Sequence, residues 1–259
     1  MNPELIVKAS LDIGAAMLSA GAETVRVEDT ISRICRSYYQ GRLDVTSYLS
    51  AIFVSMEVTD RHEHPDCPLI VTQHRRVSSV SNDLNKLEEL NALSRYVCEH
   101  TPDPSEIDTR LQAILSTSAS RRKAITGYIF ATFAFTIFFG GHSLPELLIS
   151  FLIGGVVGGV AQLTEQFSFN KALDRFICSL TACLLTFVAL RLGWVESGDK
   201  IIIGNIMSLI PGIGLTNALR DLFTGDVITG ILRSIEAVLL AFAIAAGYII
   251  AVFLLGGGA

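Results

Sequence analysis

The stretch "IMSLIPGIGLTNALRDLFTGD", residues 206–226, decides how this chain is read. It lies among the most apolar parts of the sequence, yet it holds Pro211, Gly212 and Gly214, and beyond them Asn217, Arg220, Asp221 and Asp226. In hydrocarbon an unpaired backbone amide or carbonyl costs several kcal/mol, so a helix is broken there only where the freed groups face protein, water or a ligand. Pro211 removes one donor and clashes with the preceding turn, while the two glycines supply the freedom to bend. The spacing therefore predicts a hinge or unwound segment inside a span. In transporters such discontinuous helices set a half-helix N-terminus, with its partial positive charge, near an anionic substrate group.

Polar side chains recur around the break at helical intervals. Asn205 and Ser208 are three residues apart, and Asn217, Arg220 and Asp221 are three and four apart, so each set can share a face. Arg220 has the fork geometry for a carboxylate, the amides and the hydroxyl can bind hydroxyl or amino groups, and Asp221 can hold an ammonium or exchange a proton. The alternative is that Arg220 and Asp221 cap the helix at the interface and pair with Arg233, Glu236 or Asp226. Further on, Glu236 follows Arg233 by three residues inside the next apolar run, where a carboxylate is costly unless paired; an Arg233–Glu236 pair would meet that cost, either as a structural staple or as part of a proton or substrate path. Asp226, Arg233 and Glu236 are accordingly the coupling or gating candidates, whereas Asn205, Ser208, Pro211, Gly212, Asn217, Arg220 and Asp221 are the substrate-binding ones. Gln162 and Glu165 carry the same ambiguity and lean structural.

The chain divides into unlike parts around this stretch. Its 259 residues are 50% hydrophobic and 17% charged with a net charge of -5, and most of the charge lies up to Lys123. From Ala124 onward long apolar runs alternate with short polar loops. Five spans are expected, at about 124–141, 145–163, 176–193, 201–218 and 230–255, each near the ~20 residues that a bilayer core requires. Arg121, Arg122 and Lys123, then Lys171 and Arg175, then Arg220 and Arg233 fall on one side, which makes the head cytoplasmic and the C-terminus external. In the second span Gly154/Gly158 and Gly155/Gly159 form two overlapping G-x-x-x-G steps for close helix packing, within the chain or between subunits.

Residues 1–116 read as a small α+β head in the order ααββαα. Apolar residues at helical spacing end at Gly21 and again at Gly41, and two β-branched runs flank "TDRHEHPDC" as a hairpin. Asn82 or Asp83 is the expected cap of a third helix, and Pro102 and Pro104 precede a fourth that ends near Ser116. Residues 117–123 form a basic linker. The start lacks the pattern of a signal peptide, and five scattered cysteines form no disulfide framework. His62, His64, Asp66, Cys67 and His74 have zinc-binding chemistry, but their spacing fits no structural zinc pattern and a solvated turn is expected, with no metal and no cofactor. In "SAGAETVRVEDT" the acids Glu23, Glu28 and Asp29 suit a helix N-terminus, and Arg26 among them can tie two helices together or hold a ligand. No nucleophile elbow, phosphate loop or basic stripe for nucleic acid appears.

"GAAMLSAGAETVRVEDTISRIC" together with "SLIPGIGLTNALRDLFTGDVITGILR", which contains Pro211, Gly212 and Gly230, resembles the threonine/serine exporter (ThrE) family, in particular its shorter YjjP-like members. The resemblance covers essentially the whole chain. It implies a polytopic α-helical membrane protein of five transmembrane helices, one discontinuous, with an N-terminal cytoplasmic α+β domain in the bacterial inner membrane. It also implies secondary export of small carboxylates such as threonine, serine or succinate, by a transporter subunit and not an enzyme, with a second small membrane subunit of the family or a homo-oligomer as partner. Five is an odd number of spans, so a second five-span unit appended in sequence is inverted relative to the first, an arrangement many transporters use. The rival readings are a membrane-anchored metabolite sensor or scaffold, and a hydrolase using the head.

Overall fold

The computed structural model describes residues 2–58, 69–77, 81–117, 120–167 and 169–256. The chain forms two compact units, the first from Met1–Ser118 with Ile213–Ser234, the second from Ala119–Gly212 with Ile235–Ala259.

In the first unit Asn2 caps α1 (Pro3–Ser19) by accepting from the Glu4 amide, and Pro3 supplies a fixed φ at the first helical position. The helix stops at Gly21, whose φ of +97° is the left-handed conformation that a helix end favours. There α2 (Thr24–Tyr38) begins; it ends at Tyr38, short of the expected Gly41. The region expected to be one hairpin of two strands is a three-stranded antiparallel sheet of β1 (Leu43–Tyr48), β2 (Ala51–Val58) and β3 (Leu69–Arg76), in that order. The first run of β-branched residues is folded on itself at Leu49–Ser50, which puts Tyr48 opposite Ala51. No Gly, Asn or Asp marks that turn, so the run reads as a single strand in sequence. The order is thus ααβββαα.

Strand β2 buries Ile52, Val54, Met56 and Val58 on one face, the period-2 pattern of a half-buried strand. These meet Val7, Leu11, Ile13 and Met17 of α1 and Val27, Ile31 and Ile34 of α2 in one core. Asp83 caps α3 (Leu84–His100) by accepting from the Lys86 amide, and α4 (Pro104–Ser116) closes the core with Ile107 and Leu111. The same unit contains α9 (Gly212–Thr224) from Ile213 onward and the first turns of α10 (Val227–Ala251).

The second unit is helical. It comprises α5 (Arg121–Phe138), α6 (Leu144–Gln166), α7 (Lys171–Arg191), α8 (Asp199–Leu209) and the rest of α10, which runs into a π-helical turn, Val252–Gly256. Among the described residues three helices are long and apolar enough to cross a membrane: α6, α7, and α10 through Leu255. A fourth crossing exists if α8 and α9 count as one interrupted span. The expected five are therefore not reached: α5 has 18 residues, of which Arg121, Arg122 and Lys123 are basic, short of a bilayer's ~20 apolar residues. Gly154 and Gly158 let α5 approach α6, since a Cβ at Gly154 meets the Thr132 hydroxyl and one at Gly158 meets Tyr128. The second G-x-x-x-G step is looser, with nothing within 4 Å of Gly159.

Candidate functional site

The break falls at Ile210 and Pro211. Ile210 is extended (φ -64°, ψ 131°), as the residue before a proline prefers, and α9 starts directly after it at Gly212. Gly212 and Gly214 are thus inside a helix and not in an unwound segment. The Gly212 amide donates to the Ile210 carbonyl at 2.8 Å.

Before the break, the polar residues serve their own helix. Asn205 is fully buried; its Nδ2 donates to the Ile201 carbonyl at 2.9 Å, and its Oδ1 has no hydrogen-bond partner among the described residues. Ser208 donates to the Asn205 carbonyl at 2.7 Å. An orphaned buried acceptor costs about 1–3 kcal/mol, which makes Asn205 Oδ1 the atom of this helix most ready for a donor from outside.

After the break, four polar residues engage the turn between α1 and α2. Asn217 Nδ2 donates to the Gly21 carbonyl at 3.2 Å, and Arg220 pairs with Glu23 at 2.7 Å. Thr24 Oγ1 donates to Asp226 at 2.8 Å, and Arg233 donates to the Ala22 carbonyl at 2.9 Å. Beneath them Arg233 and Asp221 form an ion pair at 3.4 Å with side chains only 6% and 1% exposed. Four consecutive residues, Gly21 to Thr24, therefore clamp the segment 217–233. Gly230 allows the return of the chain, because its Cα lies against Leu222 where a Cβ has no room.

Several expected pairings differ. The Arg233–Glu236 pair does not form: Arg233 meets Asp221, while Glu236 meets Lys171 at 2.7 Å in the second unit. Spacing along α10 says which side chains can touch each other, but each charge here finds a partner from another helix. Arg26 is exposed and takes no part in the ion pairs among the described residues; Glu23 is the acid of that turn that is engaged. Glu28 accepts from the Ser47 amide at 2.7 Å, and burial together with the nearby Asp226 carboxylate pushes its pKa up. Gln162 and Glu165 bond to one another at 3.3 Å on an exposed face.

His62, His64, Asp66 and Cys67 lie outside the described residues; His74 stacks on Phe53 on the outer face of the sheet. Among the described residues no group of three or more His, Cys, Asp or Glu is placed to hold a metal. Sequence reasoning did not single out the polar side chains inside the second unit: Thr132, Thr136, Ser150, Glu146 and Lys200 at one end, Tyr128, Asp174 and Arg175 at the other. The one available signal was a carboxylate, Glu146, inside an apolar run.

Comparison with known proteins gives a single direction. The model of the ThrE family, described as "Putative threonine/serine exporter", matches residues 8–255. A Corynebacterium glutamicum protein named "Threonine/serine exporter" is 23% identical over 249 residues, which are 93% of this chain and 50% of that protein. The chain thus spans about half the length of that relative. A Klebsiella aerogenes protein named "Probable succinate transporter subunit YjjP" is 22% identical over 252 residues, covering 97% of this chain and 94% of that protein. No solved structure matches.

Proposed function

The chain belongs to the threonine/serine exporter family, and from that membership we propose that it is one subunit of a secondary exporter of small carboxylate metabolites such as threonine, serine or succinate. The observation that carries the reading is the interrupted span α8–α9 in a chain matched by the family over residues 8–255. A helix that stops short at Pro211 frees backbone groups, and apolar surroundings tolerate that only where a cavity or a ligand meets them. We place the substrate contacts on the α8 side, with Asn205 and Ser208 supplying polar atoms and Pro211 and Gly212 the bend. On the α9 side Asn217, Arg220, Asp221, Asp226 and Arg233 form the clamp to the head turn, through which the head senses or restrains the bend. Glu236, paired with Lys171, belongs to the gating set.

A relative named as a subunit, and another twice the length of this chain, support a second membrane protein as partner. The basic residues before α5, between α6 and α7, and in 220–233 favour a cytoplasmic head in an inner membrane. The test is uptake of labelled threonine, serine and succinate into inverted vesicles containing this chain with and without a small membrane partner of the family, under an imposed pH gradient. Gradient-dependent accumulation only with both chains is expected. No accumulation of any of the three, with both chains inserted, refutes the exporter reading. Pro211→Ala is expected to lower the rate without preventing insertion.

A second reading, a metabolite sensor, draws on a cleft of about 260 Å3 in the head between α1 and α4, rimmed by Lys8, Asp12 and Asp108 over Ala9 and Leu111. Asp12 pairs with Arg75, and burial still raises its pKa. Efflux unchanged by deletion of this chain, with the partner intact, favours that reading.

A further inference from the structure

A seam of buried hydroxyls lies between α5 and α6. The Ser150 and Thr136 hydroxyls lie 2.6 Å apart, one donating to the other, and the Thr132 carbonyl, 2.9 Å from Thr136 Oγ1 and 3.3 Å from Ser150 Oγ, accepts the proton that this leaves free. All three side chains are fully buried. One turn from Ser150 on the same face of α6 stands Glu146, 6% exposed. Among the described residues its Oε2 has no hydrogen-bond partner, and its ion-pair partner, Lys200 Nζ, lies 3.9 Å from Oε1, beyond hydrogen-bond reach.

Apart from the N-terminal end of α6 itself, whose partial positive charge favours an acid in the first turn, the neighbouring helices offer little compensation. From α5 come the hydroxyls of Thr132 and Thr136, its basic residues being at the opposite end. At the Glu146 end α7 has Arg191, which is exposed, and α8 has Asp199, exposed, beside Lys200. His142, in the turn before α6, is exposed as well. A buried carboxylate with a half-made ion pair has two stable arrangements: ionised and closed on the cation, or protonated with the cation released. Lys200 sits in the first turn of α8, and that helix carries Asn205 and ends at Leu209 against the break. Eleven residues of α-helix form a rod of roughly 16 Å, so a shift of its first turn is felt at its last.

We propose that Glu146 is the protonatable group that couples the exporter to a proton gradient, with Lys200 as its charge partner on the helix that leads into the break. The proposal rests on the exporter reading for its coupling role. A proton taken up from the compartment facing the α6 N-terminus neutralises the carboxylate and frees Lys200; loss of the proton restores the pair. Each step repositions the start of α8.

The chain's single tryptophan, Trp194, lies in the turn between α7 and α8 at this same end, 58% exposed, and supplies a readout that needs no transport. The test is a pH titration of Trp194 emission in the purified full chain. The expected result is a transition in the wild type that is absent in Glu146→Gln and displaced in Lys200→Gln. A flat wild-type titration, or a transition unchanged in Glu146→Gln, overturns the proposal. In proteoliposomes with the partner, Glu146→Gln is expected to retain counterflow of the transported solute, which needs no net proton movement, and to lose gradient-driven accumulation. Full gradient-driven accumulation in that variant overturns the coupling role. Should the wild type show no counterflow of threonine, serine or succinate, the exporter reading fails by itself, and the tryptophan titration still decides whether Glu146 is the titrating group.

Discussion

The polar residues on the two sides of Pro211 look alike in sequence and behave differently in the fold. Asn205 and Ser208 bond within α8, to Ile201 and Asn205 carbonyls, and leave one amide oxygen unused. Asn217, Arg220, Asp226 and Arg233 each reach a partner about 200 positions earlier, within the four residues Gly21 to Thr24. A group bonded only within its own helix and left with an idle acceptor is open to a ligand, whereas a group bonded to a distant segment holds the chain together, although Arg233 Nε and Asp221 Oδ2 also lack a hydrogen-bond partner among the described residues. In the function proposed above the first kind serves recognition and the second restraint, and variants at Arg233, Asn205 and Arg220 test that division.

The largest effect is expected at Arg233. Removing one member of a buried ion pair strands the other, typically at about 3–5 kcal/mol, so Arg233→Ala lowers the thermal stability of the detergent-solubilised chain severely. The double variant Asp221→Leu/Arg233→Met, which removes both charges and keeps apolar volume, is expected to recover most of that loss. If Arg233→Ala melts like the wild type, the pair is not holding the clamp.

Asn205 is expected to show the reverse pattern. Asn205→Leu gives up one hydrogen bond inside α8 and an orphaned acceptor, so stability is unchanged or rises by about 1 kcal/mol. Transport is expected to fall sharply in the same variant. A destabilised protein with normal transport inverts the division and makes Asn205 structural.

Arg220 comes next, since its ion pair with Glu23 is partly open, the two side chains being 64% and 19% exposed. Exposed pairs contribute about 0.2–1 kcal/mol, and Arg220→Ala should lower the melting temperature only slightly. Arg220→Lys keeps the charge toward Glu23 and is expected to transport normally. If Arg220→Lys instead raises the KM for solute, the guanidinium fork is reading a carboxylate, and Arg220 crosses from restraint to recognition.

These contrasts also show why the sequence was legible in parts. The break was readable because Pro211 and its neighbours act on their own backbone, and backbone rules need no knowledge of distant partners. The cap at Asp83 and the stop at Gly21 were readable for the same reason. The clamp was not, because Glu23 and Arg220 are 197 positions apart and nothing in either segment names the other. The turn at Leu49–Ser50 hid inside a β-branched run without a turn residue. The first expected span is not confirmed by length and composition, because α5 begins with its three basic residues inside the helix, not before it. Glu146 escaped notice because an acid in the first turn of a helix after Pro145 is also what a helix N-terminus favours, and burial alone separates the two meanings.

The smallest effect is expected at Glu28, beside the clamp in α2. Its carboxylate is raised above the ordinary value of 4.5 first by burial, against the lowering bond from the Ser47 amide, and with a further push from Asp226. The sign follows from proton counts. Between 4.5 and the raised value the folded chain holds more protons at this site than the unfolded chain, so stability falls as pH rises through that window and then levels off. Glu28→Gln keeps an oxygen for the Ser47 amide and removes the titration. The two proteins are therefore expected to melt alike at acid pH, with the variant gaining a small advantage as pH rises to neutral. Melting temperatures measured in parallel across that range decide the matter. Curves that stay parallel, or a variant that loses ground toward neutral pH, mean that the Glu28 carboxylate is stabilised in the fold and that Asp226 is not pressing on it.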